Sequence, residues 1–175
     1  MKQIIVQIIW ILSELEALFV SPNSTLRFRR LFLRMMEIPC PASLWIGKSF
    51  HLLQKNHLFL GERCALGAFV RIDNHAPIHI GDDFLAAPGL CINSGSHDPC
   101  TLEPMCRPIH IGNRVWCGLN VTIMSGVTIG DDVVIGTGSL VADDVPSNTI
   151  VAGVPAKVIK TLDRQDVLKL WTWAK

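Results

Sequence analysis

Residues 80–146 read IGDDFL, AAPGLC, INSGSH, then an interruption DPCTLEPMCRP followed by Ile109 and His110, then IGNRVW, CGLNVT, IMSGVT, IGDDVV, IGTGSL and VADDVP. An aliphatic residue returns in one phase at Ile111, Ile123, Ile129, Ile135 and Val141. Positions that share a phase share an environment, and in a chain that is 49% hydrophobic that environment is a core. Four residues after each of these, and after Cys117 in the same phase, comes a small or β-branched side chain: Val115, Val121, Val127, Val133, Ser139, Val145. One residue after, except at Met124, comes Gly112, Gly118, Gly130, Gly136 or Ala142, where a bend excludes bulk. A helix needs period 3.6 and a hairpin period 2, and neither fits. Short extended segments joined by tight turns at fixed period define a parallel β-solenoid.

Working outward, the pattern begins loosely at Ile46 with IGKSFH and LLQKNH and tightens at LGERCA, LGAFVR and IDNHAP. Its phase slips by two residues near 57–59 and again near 77–79, each expected to be a corner or small bulge. Residues 41–160 thus form one solenoid domain interrupted by a loop at 98–110. Residues 161–175, TLDRQDVLKLWTWAK, read as a C-terminal helix.

Residues 1–40 read as a helical segment. Ile4, Ile5, Ile8, Ile9, Leu12, Leu15 and Phe19 fit one broad helix face, while Glu14 and Glu16 leave an apolar run too short to span a bilayer. A second helix starts with Ser21 as N-cap and Pro22 in the first turn. It carries Arg27, Arg29, Arg30 and Arg34 beside Leu26, Phe28, Leu31 and Phe32. Packing on the protein itself is the plain reading of this segment. Contact of residues 2–36 with anionic lipid at the inner membrane face, or with a phosphate-bearing acceptor, is the sharper one.

Composition limits the partners. With 175 residues the chain is long enough for one core, and with only 18% charged residues it is expected to associate with itself or with a membrane face. A net charge of +1 lacks the basic excess of a nucleic-acid binder. The six cysteines form no CxxC pair and no secretory cleavage signal stands out, so reduced thiols in a cytoplasmic protein are expected, with pairing of Cys100 and Cys106 left open. His97 closes a hexad immediately before the interruption. An imidazole, with a reference pKa near 6.5, can take a proton from a hydroxyl near neutral pH.

The segments NSGSHDP (93–99), VWCG (115–118), IMSGVTIGDDVVIGTGS (123–139) and VAGVPAKVIK (151–160) resemble the hexapeptide-repeat O-acetyltransferases of the maltose, galactoside and nodulation-sugar group. The nearest subgroup is the colanic acid, or exopolysaccharide, type, which shares the apolar first helix, the Arg-rich second segment and the GSHD tetrapeptide, here Gly95 to Asp98. The resemblance implies a left-handed parallel β-helix whose coils have three six-residue sides, assembled as a cyclic trimer with active sites between subunits. It implies direct transfer from acetyl-CoA to a sugar hydroxyl, without a metal or a covalent intermediate.

On this resemblance His97 is the general base, and Asp98 orients it, meets the acceptor or caps the loop. The backbone N–H of Gly118 or Leu119 receives the oxyanion. Trp116 lies beside the pantetheine arm, Gly136, Thr137, Gly138 and Ser139 line the cofactor groove, and Lys157 and Lys160 face the CoA phosphates. Two departures stand out. Asp143 occupies a position that is basic in the family, and Gly67 or Ala68 replaces the asparagine that meets the sugar in the maltose and galactoside enzymes. Asn93, Asn74 and His75 are therefore the candidate acceptor contacts. Two other classes use such solenoids: non-catalytic scaffolds, and zinc carbonic anhydrases, for which His75, His79, His97 and His110 are the available ligands.

Overall fold

The computed structural model describes residues 33, 34, 38 and 40–163. The expected first helix, most of the second, and residues 164–175 lie outside the described residues. Leu33 and Arg34, within the expected second helix, are helical. Leu33 and Ile38 are buried in the same core cluster as Leu44 and Phe50, so the segment preceding the solenoid contributes to its core. No helix among the described residues is long and apolar enough to cross a membrane.

The hexads build three parallel walls. Wall A stacks Trp45–Ile46, Ala65–Leu66, Leu85–Ala86, Trp116–Cys117, Val134–Ile135 and Thr149–Gly153, with Ala156–Thr161 added antiparallel at its end. Wall B stacks His51–Leu52, Arg71–Asp73, Cys91–Asn93, Thr122–Ile123 and Leu140–Val141. Wall C stacks Leu58–Leu60, Ile78–Ile80, Ile109–Ile111 and Thr128–Ile129. The five strands of wall B are five successive coils. Thr161, expected to open a helix, closes the last strand of wall A instead, because Ile150 and Lys160 pair across the terminal hairpin.

The two repeating apolar positions fill the interior. Ile111, Ile123, Ile129, Ile135 and Val141 are at most 4% exposed, and Phe84, Leu66, Ile72 and Ile92 fill the earlier coils. Both phase slips are corners between walls B and C. There a second apolar residue of the wall C strand turns inward: Ile78 and Ile80 are both buried, and Leu58 is buried with Leu60 half-buried beyond it. Asn74 closes this corner: its Oδ1 accepts the Gln54 N–H at 2.8 Å and its Nδ2 donates to the Gln54 carbonyl at 2.5 Å.

The corner between walls C and A is stapled coil to coil. Asp82 Oδ1 accepts from Glu62 N–H, Asn113 Oδ1 from Asp82 N–H, Asp131 Oδ1 from Asn113 N–H, and Ser147 Oγ from Asp131 N–H. Left-handed Arg63, Asp83, Arg114 and Asp132 follow, with φ of 56° to 57°, a conformation costing roughly 1–2 kcal/mol per residue. Their bidentate Arg63–Asp83 and Arg114–Asp132 pairs tie successive coils together. This edge is spent on structure.

Candidate active site

The interruption in the repeat is an antiparallel hairpin that leaves the corner between walls B and C. Its rungs are Arg107 N–H to the Ser94 carbonyl at 3.0 Å, Met105 N–H to Ser96 at 2.8 Å and Asp98 N–H to Glu103 at 2.9 Å. His97 and Pro104 form the bridge between them. The base is fixed by Ser125, whose hydroxyl donates to the Ser94 carbonyl at 2.8 Å and accepts the Arg107 N–H at 3.1 Å. The exposed imidazole of His97 thus stands on a ribbon anchored to buried backbone.

The neighbours of His97 resolve several sequence expectations. Asn93 Oδ1 accepts the Gly95 N–H at 2.8 Å. The ring of His75 lies over Gly95 so closely that an added Cβ would meet His75 Cδ2 at 2.5 Å. His75 and Asn93 thus gather at Gly95, two residues before His97 on the same ribbon. Asn74 does not join them. Fully buried and committed to Gln54, it belongs to the scaffold and is withdrawn as an acceptor contact.

Asp98 caps the hairpin tip. Its Oδ1 accepts from Thr101 N–H at 2.9 Å and Cys100 N–H at 2.8 Å, and these bonds hold its carboxyl below the ordinary aspartate range. A depressed pKa means that this contribution to loop order is complete above the ordinary carboxylate pKa and is lost as pH falls through the lower folded value. Amide protection at Cys100 and Thr101, taken relative to the intrinsic exchange rate at each pH, is accordingly expected to fall on acidification through that window, and to be low and insensitive to this titration in Asp98→Ala. Unchanged exchange in the variant would show that the cap is not what orders the tip.

The hairpin register separates the two loop cysteines. Met105 opposite Ser96 sets Cys106 level with Gly95, whereas Cys100 lies at the tip, roughly 15 Å further along at about 3.3 Å per residue. A disulfide needs Cα atoms about 4.4–6.8 Å apart, and both thiols are free and exposed. Burial pushes the Cys64 thiol up to about 11 and raises Cys117 further, which disfavours thiolate at both.

The second group of expected site residues gathers on wall A and at its corner with wall B. Trp116 projects outward, 48% exposed, between Leu85 and Val134. Gly118 N–H donates to the Ile135 carbonyl at 2.8 Å, so it is taken by the coil ladder and cannot receive an oxyanion. The N–H of Leu119, one residue on at the exposed corner, has no acceptor among the described residues. Hexad phase carried this distinction, since the residue after the inward aliphatic also donates to the next coil at Gly112, Gly130 and Gly136. Thr137 packs beneath Gly118, where an added Cβ would meet Thr137 N at 2.7 Å. Ser139 is buried, donating to the Gly136 carbonyl and accepting from Gly153 N–H. Lys157 Nζ lies 3.1 Å from Asp143 Oδ2, both side chains exposed, and Lys160 is exposed on the same terminal hairpin. This pairing with Asp143 escaped the sequence reading, because nothing in the spacing announces a contact between a corner and a hairpin.

Among the described residues no group of three or more His, Cys, Asp or Glu is placed to hold a metal ion. Of the four histidines considered for zinc, His79 and His110 stack on the outer face of wall C at 5.0 Å between ring centroids, while His75 and His97 stand at the corner.

The described residues thus present an exposed imidazole at one corner, a Leu119 N–H beside the exposed Trp116 at another, and the amines of Lys157 and Lys160 on the terminal hairpin. The chain belongs to the hexapeptide-repeat acetyltransferase family. Residues 108–142 match the family described as hexapeptide repeat of succinyl-transferase. Galactoside O-acetyltransferase of Escherichia coli K12 is 31% identical over 151 residues, 83% of this chain and 74% of that protein. WbbJ of the same organism, named as an O-acetyl transferase of lipopolysaccharide biosynthesis, is 33% identical over 72% of this chain and 70% of its own. The hexapeptide-repeat acetyltransferase of Vibrio cholerae O1 biovar eltor, solved with acetyl-CoA, superposes with a TM-score of 0.68 at 26% identity, covering 91% of this chain and 88% of that one. The fold is the left-handed β-helix of these enzymes, and the Vibrio cholerae protein and a galactoside acetyltransferase were solved with acetyl-CoA and coenzyme A respectively.

Proposed function

We propose that this chain O-acetylates a hydroxyl of a sugar within a polysaccharide precursor, in a homotrimer whose active sites lie between subunits. One observation carries the reading: the two halves of the site stand on different corners of the same prism. His97 leaves the corner between walls B and C, and Leu119 occupies the corner between walls A and B. One wall of six residues separates them, on the order of 15–20 Å at about 3.3 Å per residue. An oxyanion donor must lie about 3 Å from the reacting oxygen. This separation supports a site closed by a second copy, which presents its Leu119 corner to the His97 corner of the first.

In this site His97 accepts the proton of the acceptor hydroxyl as its oxygen attacks the thioester carbonyl. The Leu119 N–H of the adjoining copy stabilises the resulting oxyanion. Collapse breaks the carbon–sulfur bond, and the imidazolium returns its proton to the departing thiolate, leaving the acetyl ester and free CoA. Trp116, Gly136, Thr137 and Gly138 border the pantetheine arm, and Lys157 and Lys160 meet the phosphates. An exposed pair such as Lys157–Asp143 contributes at most about 1 kcal/mol, so a phosphate can displace the carboxylate. His75 and Asn93 face the acceptor.

The exopolysaccharide-type acceptor is supported by the name of the lipopolysaccharide relative and by the departure at Gly67 and Ala68. A cytoplasmic location at the inner membrane face, with a lipid-linked acceptor, is part of the same proposal. It rests on the Arg27 to Arg34 cluster. The test incubates the protein with acetyl-CoA and a defined pool of sugars and polysaccharide precursors, followed by mass spectrometry. Addition of one acetyl group to a saccharide is expected; release of free CoA with every saccharide unmodified would overturn the acceptor class.

A further inference from the structure

Five of the six histidines, His57, His75, His79, His97 and His110, lie at the corner between walls B and C or on wall C itself. None of the five pairs with a carboxylate among the described residues, whereas His51 on wall B meets Asp73 at 3.4 Å. Phe59, His79 and His110 occupy the same register position in three successive coils of wall C. Their rings stack face to face, with centroids 4.5 and 5.0 Å apart and planes within 7°. All three are exposed.

Both faces of His79 and one face each of Phe59 and His110 are spent in the stack, so the imidazoles show the solvent chiefly their edges, while Phe59 keeps a face at the end of the stack. Each imidazole edge carries a donor and an acceptor nitrogen in the neutral form, the pairing that sugar hydroxyls satisfy. The stack also adjoins the candidate site, since His110 belongs to the strand that begins where the His97 hairpin ends. Wall C stays outside in the proposed assembly. When the B/C corner of each copy meets the A/B corner of the next around a threefold axis, the wall between those corners, wall B, turns to the axis.

The geometry points to the outer face of wall C as a subsite for a chain-like glycan acceptor, with sugars next to the acetylated unit hydrogen-bonding the edges of His110 and His79 and packing on Phe59. The inference rests on the proposed acetyl transfer to saccharides and deepens it: the acceptor is an oligo- or polysaccharide. Coils recur about every 4.8 Å, close to the length of one pyranose unit, so successive rungs address successive sugars.

The probes are glucose, galactose and N-acetylglucosamine, each with its di- to tetrasaccharides, assayed with acetyl-CoA and wild type or the His79→Val/His110→Val double variant. Valine keeps the strand preference and removes the polar edges. Two hydrogen bonds predict a KM about tenfold or more lower for a tetrasaccharide than for its monosaccharide in wild type, with kcat unchanged. In the double variant that advantage disappears while the monosaccharide KM and kcat hold, which also shows the fold intact. A wild-type KM independent of chain length, or a double variant that weakens monosaccharide and tetrasaccharide alike, would overturn the subsite while leaving acetyl transfer standing. If no saccharide of any length is acetylated, the acceptor class falls, and the subsite with it.

Discussion

His97→Ala is expected to lower kcat/KM for acetyl transfer about 10²- to 10⁴-fold, the usual contribution of a positioned general base. That loss equals roughly 3–5.5 kcal/mol of transition-state stabilisation. The hairpin does not need the side chain: its rungs are main-chain bonds from Asp98, Met105 and Arg107, and the imidazole is exposed. The urea midpoint of the variant should therefore match wild type within error. The KM for acetyl-CoA should hold too, since the groups assigned to CoA lie on wall A and the terminal hairpin. A variant retaining more than a tenth of wild-type kcat/KM on an acetylated saccharide would remove His97 from the chemistry.

The solenoid was legible because its core has one rule. Ile111, Ile123, Ile129 and Ile135 recur in a single phase, and that phase alone sets wall, corner and coil. The slips at 57–59 and 77–79 read as corners or small bulges, and both are corners between walls B and C. What they concealed was Asn74. An asparagine near a break in a repeat looks like a ligand, and only the neighbouring coil, twenty residues earlier in sequence, shows its amide to be spent on Gln54. Thr161 misled for a related reason, since a helical pattern in 161–174 said nothing of the pairing that draws Ala156–Thr161 back onto the Thr149–Gly153 strand. While its role came only from the resemblance, the place of His97 at the foot of the interruption was legible. Its relation to His75 was not: it depends on stacking Gly95 against a coil whose offset the slips obscure. The choice between Gly118 and Leu119 lay in the hexad phase all along.

Mixing two inactive variants should restore activity. His97→Ala lacks the base, while Leu119→Pro lacks the N–H proposed to receive the oxyanion, and each alone is expected to fall by at least about 10²-fold. Co-expressed in equal amounts and assembled at random, a site has an intact imidazole in half of cases and an intact N–H from its neighbour in half. About a quarter of wild-type activity per site should return if the two groups come from different chains of a cyclic oligomer. If both groups act within one chain, every chain lacks one of them and the mixture stays at the level of its parents. Should proline disturb the corner, Trp116→Ala serves as the second partner, because Trp116 lies on the same half of the site. A different affinity tag on each variant isolates the assemblies that contain both chains, and sizing shows that they keep the wild-type oligomeric state. A mixture that assembles as wild type yet shows no recovery would return the whole site to one chain, where the width of wall B leaves His97 and Leu119 too far apart to act on one carbonyl.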